Sequence, residues 1–208
     1  MKKVLFIGNS HTYYEYLPWL FADICKQAGI EVQSVMCTHG GCDWQWHLTS
    51  HCALPNLRHG NYDFAVIQQK AHPFDGVEML IEQGTPLIME IQAVKTKAVL
   101  FNTWSEKNNP NGQKTIDDAH NMLYELCDGC LIAKCGPAWH SLRGIIDLYD
   151  TDGQHMNSCG AYLNACVLAR TIFGVDILAL PDTINTKTLT RSLTKDEIRL
   201  LQKTAAMF

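Results

Sequence analysis

The sequence predicts a three-layer αβα sandwich built on a mostly parallel five-stranded sheet. Three observations lead there. Short apolar runs alternate with longer helical patterns along the chain. The runs are nearly continuous, as strands covered on both faces read, and not alternating as half-exposed strands do. The length of 208 residues suits one well-buried α/β domain and is short for two. The chain therefore reads as a single domain over 1–208, with right-handed crossovers placing helices on both faces of the sheet.

The elements follow in order. The first strand is "KVLFI" at 3–7. A helix over 17–28 comes next and stops at Gly29, a natural C-cap. The second strand is 31–36. The stretch 42–61 is rich in tryptophan and histidine, has weak periodicity and is expected to be mostly irregular. The third strand is 63–68. A long helical pattern fills 77–94, with Gly84 and Pro86 suggesting a break inside it. Strand four is 98–102, helix 113–126 follows, and strand five is 130–134. A helix over 158–173 ends at Gly174. An amphipathic helix at about 194–207 closes the chain, and Thr194 with Glu197 forms its capping box.

Composition excludes several classes. Hydrophobic residues make up 47% and charged residues 18%, an ordinary globular mix. The net charge of −4 carries no basic stripe for nucleic acid. No apolar stretch is long enough to span a bilayer, and the basic start lacks a signal-peptide core, so the expected location is cytoplasmic. The nine cysteines are odd in number in a chain that is not small, which argues against a disulfide framework. "CDGCLIAKC" contains a C-x-x-C, yet no second ligand pair at comparable spacing accompanies it. Buried free cysteine is the expectation. His39, His47, His51, His59 and His72 are scattered without a repeated ligand spacing, so no metal is expected.

In open parallel sheets, ligands bind outside the carboxyl ends of the strands. The loops expected at those ends carry "GNSHTYY", "CTHGGCDWQW", "QQKAHP", "TWSEKNNP" and "CGPAWH". Ser10 lies in the first. A serine between a strand and a helix can be a nucleophile, because nearby backbone N–H groups can hold an oxyanion. It can equally be an N-cap, or part of a phosphate cradle of the flavodoxin kind. A nucleophile needs a base. "LYDTDGQHMNSCGAYLNA" supplies Asp152 and His155, three apart on one loop, where the carboxylate can fix the imidazole tautomer and leave the other nitrogen for Ser10. A phosphate- or glycan-binding module is the alternative reading, and it leaves Asp152 and His155 without a role.

"FIGNSHT", "GGCDW", "DFAVIQQ" and "DGQHMNSCGAYLNA", in that order, resemble the successive blocks of the SGNH (GDSL-like) hydrolases. "TW" at Thr103, "GPAW" at Gly136 and "LYDTDGQH" resemble the branch whose third block carries glutamine in place of asparagine. The resemblance covers about residues 3–174. It implies a flavodoxin-like SGNH fold and a serine esterase without a cofactor. Ser10 is then the nucleophile, His155 the general base and Asp152 its orienting acid. It also implies an oxyanion hole made by the N–H groups of Ser10 and Gly41 and by a side-chain amide from Gln68, with Gln69 as the alternative. Met156 departs from the proline usual after the histidine. His11, next to the nucleophile, is expected to point elsewhere. Tyr13, Tyr14, Trp44, Trp46, Trp104 and Trp139 fall on the strand-end edge. Trp139 is expected to cap the core, with Trp104 a second candidate for that part, while Tyr13, Trp44, Trp46 and Trp104 are the expected substrate contacts. Aromatic faces suit a sugar ring, so the expected partner is a small ester, an acetylated sugar first.

Overall fold

The computed structural model describes residues 1–184 and 189–208. The strands β1 (Lys2–Gly8), β2 (Val32–Thr38), β3 (Phe64–Ile67), β4 (Lys97–Phe101) and β5 (Leu131–Ala133) are all parallel. They lie in the order β2-β1-β3-β4-β5. In the register, Val4 of β1 faces Ser34 on one side and Phe64 on the other. The chain leaves β1 toward one side to make β2 and returns on the other side to make β3. That reversal opens a crevice at the carboxyl end of β1, and "GNSHT" begins there.

The helices in chain order are α1 (Ser10–Tyr13), α2 (Leu17–Gln27), α3 (Trp44–Thr49), α4 (Ala53–Gly60), α5 (Val77–Ala93), α6 (Gly112–Leu126), α7 (Cys135–Ser141), α8 (Ser158–Phe173) and α9 (Lys195–Ala205). The unbroken apolar run of β1 now has its reason. Val4 and Phe6 enter one core with Val66, Val99 and Phe101, closed by α2, α7, α8 and α9. Leu5 and Ile7 enter the other with Ala65, Ile67, Ala98 and Leu100, closed by α3, α4, α5 and α6. Each such large apolar side chain, fully buried, contributes about 1.5–3 kcal/mol. The capping box forms at α9: the Glu197 N–H donates to the Thr194 hydroxyl at 3.2 Å, and the Thr194 N–H donates to the Glu197 carboxylate at 2.8 Å.

Three expectations need correction. The stretch 42–61 is not irregular, because it folds into α3 and α4. Asp43 caps α3 by accepting from the Trp46 N–H at 2.9 Å, and Asn61 ends α4 in the left-handed region at φ 52°. Second, α5 runs unbroken through Gly84 and Pro86. Pro86 lies on the exposed side, so the carbonyl it leaves unpaired, that of the exposed Glu82, is open to solvent. Gly84 is there for close approach: a Cβ would stand 2.6 Å from Leu123 and 2.7 Å from Trp44. Third, "CGPAWH" is not a loop but the start of α7, with Pro137 in its first turn. Among the described residues, no helix is long and apolar enough to cross a membrane.

Candidate active site

β1 ends at Gly8, and Asn9 turns the chain into α1. The Asn9 side-chain oxygen accepts from the His11 N–H at 3.1 Å, and its amide donates to the Cys42 carbonyl at 2.9 Å. One side chain thus ties the serine turn to the loop that carries Gly41. From β3, the Gln68 Oε1 accepts from the Asn9 N–H and from the Thr12 hydroxyl, each at 2.9 Å. Gly8 permits this crowding, since a Cβ there would stand 2.3 Å from Thr12 Oγ1 and 2.6 Å from Gln68 Oε1. His47, fully buried, donates from Nε2 to the Gly8 carbonyl at 2.9 Å. Ser10 is left half-buried at the mouth of this turn. Among the described residues, the Ser10 N–H meets no protein acceptor.

The second part of the site comes from the far end of the chain. Tyr149 and Met156 pair antiparallel, and the Asp150 N–H donates to the His155 carbonyl at 2.8 Å, which closes a short loop. Within it Asp152 Oδ1 accepts from the N–H groups of Gln154 and His155 at 2.8 and 2.9 Å. Its Oδ2 stands 2.5 Å from His155 Nδ1. His155 Nε2 stands 2.7 Å from Ser10 Oγ, across 145 residues of sequence. Burial pushes the Asp152 carboxyl up, but hydrogen bonds from the His155 ring and from the two backbone N–H groups outweigh it and hold the group at about 2. It is therefore a carboxylate at neutral pH and fixes the proton of His155 on Nδ1.

No family model and no curated protein matches the chain in sequence. Solved structures do match in fold. A DUF4886 family protein from Bacteroides uniformis superposes with a TM-score of 0.81 at 18% identity, over 99% of this chain and 93% of its own. A protein of Slackia heliotrinireducens assigned to the SGNH hydrolases gives a TM-score of 0.70 at 22% identity, over 82% and 98%. The chain has the SGNH hydrolase fold. An acetyl xylan esterase, AlAXEase, has it too, with a TM-score of 0.66 at 17% identity over 82% of this chain and all (100%) of its own.

On this SGNH scaffold the structure brings Ser10, His155 and Asp152 together, and corrects other expectations. Gln68, the expected third oxyanion donor, has its amide engaged within the protein. The backbone N–H of Asn9 can only donate, so the atom facing it is the oxygen of Gln68, and the nitrogen turns to the Gln69 carbonyl. Gln69 is no substitute. Its oxygen accepts from the N–H groups of Trp44 and Lys70, each at 2.9 Å, and its nitrogen donates to Gln83 at 2.7 Å. Both glutamines brace the site from beneath. Gly41 is exposed in the left-handed region at φ 69°, with open space around its α-carbon.

Two expected substrate contacts are core residues. Trp44 is fully buried between α3 and α5. Trp104 is fully buried, stacks on Trp139 at 3.9 Å, and donates from Nε1 to the Gln154 carbonyl at 2.8 Å. Trp104 thereby anchors the Asp152–His155 loop and does not face solvent. Trp139 caps the core as expected. Tyr13 and Trp46 remain half-buried, and Trp46 stacks on the exposed His39 at 4.9 Å. His11 does not point elsewhere: its ring lies parallel to that of His155, at 4.8 Å and 22°. Tyr14 also stacks on His155, at 4.0 Å and 14°. No sequence signal marks such stacking between residues so far apart in the chain.

A cleft of about 400 Å³, lined by Trp139, Arg143, Ile145 and Tyr149 among others, does not reach Ser10 and holds none of its partners. Among the described residues, no cluster of histidine, cysteine and carboxylate side chains could hold a metal ion. All nine cysteines are free and eight of them are buried, Cys127 and Cys130 included.

Proposed function

We propose that this chain is a serine esterase that removes short acyl groups, acetyl first, from a carbohydrate or a similarly polar alcohol. One observation carries the reading: the hydrogen-bond path from Asp152 through His155 to the Ser10 hydroxyl, with steps of 2.5 and 2.7 Å. In this reading Ser10 Oγ attacks the ester carbonyl while His155 Nε2 takes its proton. Asp152 holds the imidazolium that results. The tetrahedral oxyanion is met by the N–H groups of Ser10 and Gly41. His155 then protonates the departing alcohol, and an acyl-Ser10 remains. A water activated by His155 attacks it and releases the acid.

The setting supports the substrate. The Asp152 side chain is 43% exposed, Ser10 is half-buried, and His39, Gly40 and Gly41 lie open beside it. Water therefore reaches the acyl-enzyme, which favours hydrolysis over acyl transfer. The Trp46–His39 stack and Tyr13 flank the same loop, where an aromatic face can pack on the C–H face of a sugar. An acetyl xylan esterase with the same fold points in this direction.

A fluorophosphonate probe read by intact mass, with peptide mapping to Ser10, tests the chemistry. A single adduct on Ser10 is expected, and an unchanged mass returns the chain to the binding-module reading. Nitrophenyl esters of rising acyl length and acetylated sugars test the substrate. Acetyl esters should give the highest kcat/KM, and Trp46→Ala should raise KM for the sugar. Faster turnover of long-chain esters would refute the short-acyl assignment.

A further inference from the structure

Two histidines without a part in that chemistry stand behind the general base. His11 follows the nucleophile and is 5% exposed, and His72 lies in the loop after β3. Their rings meet edge to face at 4.6 Å and 71°. His11 Nε2 lies 2.9 Å from His72 Nδ1, and His72 Nε2 lies 3.0 Å from the Trp104 carbonyl oxygen.

These contacts determine where the protons sit. A carbonyl only accepts, so His72 Nε2 carries a hydrogen. In the neutral ring its Nδ1 is then a bare lone pair, and His11 donates to it from Nε2 at 2.9 Å in preference to the longer contact of His11 Nδ1 with Asn9 Oδ1 at 3.3 Å, an oxygen already served by the His11 N–H. Both rings favour the neutral form. Burial, then the neighbouring His72 and His155, push His11 well below the usual histidine range, against the Gln154 carbonyl and Asp152. Burial also lowers His72, against the Trp104 carbonyl, Glu106 and Asp152. The chain of bonds therefore has one direction, from His11 through His72 to Trp104.

The other face of His11 gives this chain its consequence. His11 and Tyr14 each lie nearly parallel to the His155 ring, at 22° and 14°. Two rings parallel to one imidazole cannot share a face, so His155 is held between them. His11 and Tyr14 are three residues apart on the turn that carries Ser10, so one short segment supplies the nucleophile and both walls of its base. Trp104 anchors the arrangement twice, through its carbonyl to His72 and through its indole N–H to Gln154, the residue before His155.

We propose that His11 and His72 are positioning residues for the general base: a one-directional imidazole pair, anchored on Trp104, that locks the inner wall against which His155 stacks and so aims its Nε2 at Ser10. This inference rests on the esterase reading above.

The test compares His72→Leu, which removes the acceptor, with His72→Asn, whose side-chain oxygen can stand where Nδ1 was. His72→Leu should lower kcat roughly tenfold with KM nearly unchanged, as misaiming a base does. His72→Asn should recover most of that loss. His11→Phe keeps a stacked ring and removes the chain, so it should lose kcat similarly and serves if His72→Leu does not fold. A merely structural His72 would lower the melting temperature without separating kcat from KM, and the asparagine would not restore kcat. Two-bond proton–nitrogen NMR spectra of the imidazoles give the direct readout. Near neutral pH, His11 and His72 should be protonated on Nε2 alone and His155 on Nδ1, and in His72→Leu the His11 ring, having lost the acceptor of its Nε2–H, should become a mixture of tautomers while Asp152 keeps His155 on Nδ1. A kcat for His72→Leu within twofold of wild type, or a His72 protonated on Nδ1, overturns the pair. A wild-type protein that hydrolyses no ester overturns the esterase reading instead. The spectra then still decide the pair, because a His11 ring that stays protonated on Nε2 alone in His72→Leu would refute it.

Discussion

The turn that carries Ser10 and the loop that carries His155 are built in opposite ways. In the turn, Asn9, Thr12 and Gln68 are each no more than 2% exposed, and their polar atoms bond to other segments. In the loop, Asp152 is 43% exposed on its side chain, and its bonds go two and three residues along the same chain. A buried turn keeps its geometry because each unpaired polar atom would be costly. An exposed loop keeps its geometry through local bonds and through anchors from the segment after β4: the Trp104 indole N–H on the Gln154 carbonyl, the Lys107 N–H on the Gly153 carbonyl at 2.9 Å, and Glu106, which accepts from the Gln154 amide at 3.0 Å. Substitutions in the turn should therefore disturb stability and activity together, while substitutions at the loop's exposed carboxylate should disturb activity with little effect on stability.

The largest effect tests the chemistry common to both regions. Ser10→Ala should lower ester hydrolysis by roughly 10⁴- to 10⁶-fold with the melting temperature little changed. Near-normal activity would remove the nucleophile. Next comes the exposed loop. Asp152→Asn should lower kcat by roughly 10²- to 10⁴-fold, since it loses the tautomer control of His155. Calorimetry should find its stability near wild type. A large loss of stability there would erase the contrast between loop and turn.

Gln68→Ala sharpens the other side. It strands the buried Asn9 N–H and should destabilise the fold by about 1–3 kcal/mol in urea titration, with activity falling too. If kcat alone fell and stability held, Gln68 would be an oxyanion donor after all. Trp104→Phe should cost about 1 kcal/mol, because it removes one hydrogen bond to the loop and keeps the stacked ring. KM for an acetylated sugar should stay constant in that variant, as Trp104 is buried.

The smallest effect is in the acid limb of stability. Asp152 is held at about 2, below its ordinary 3.8. A carboxyl depressed by folding adds stability above its unfolded value and loses it as pH falls toward the folded one. The loss should fall between about pH 4 and 2 and be small, since solvent screens an exposed group. Glu197, held at about 2 first by its hydrogen bond with Arg191, titrates in the same window. The Asp152 share is therefore the difference between wild-type and Asp152→Asn melting curves, and identical curves would leave that carboxylate without a stabilising part.

The sequence is most legible where local chemistry repeats. The continuous run at Val4–Ile7 read as a strand covered on both faces, and two separate cores take its alternate residues. Gly29, Gly174 and Thr194 marked helix ends correctly. Asp43 was an equally plain N-cap signal, but the weak periodicity around it hid α3. The pairing of Ser10 with Asp152 and His155 was legible because the residue types of a candidate nucleophile, base and orienting acid suit one another, and because the sheet topology returns "DGQH" to the strand ends.

By itself, the sequence determined which residues could perform the chemistry and at which edge of the sheet they would stand, because apolar periodicity and the alternation of strand with helix are written in neighbouring residues. Which way each side chain turns was decided only by tertiary structure. Gln68 carries both a donor and an acceptor, and the Asn9 N–H chose between them. Trp44, Trp46 and Trp104 look alike in sequence, and packing buried two and left Trp46 half-open. His11 met His155 because two loops 144 positions apart close over one crevice (155 minus 11). A hydrogen bond or a stacked ring depends on distances between segments, and these exist only once the chain has folded.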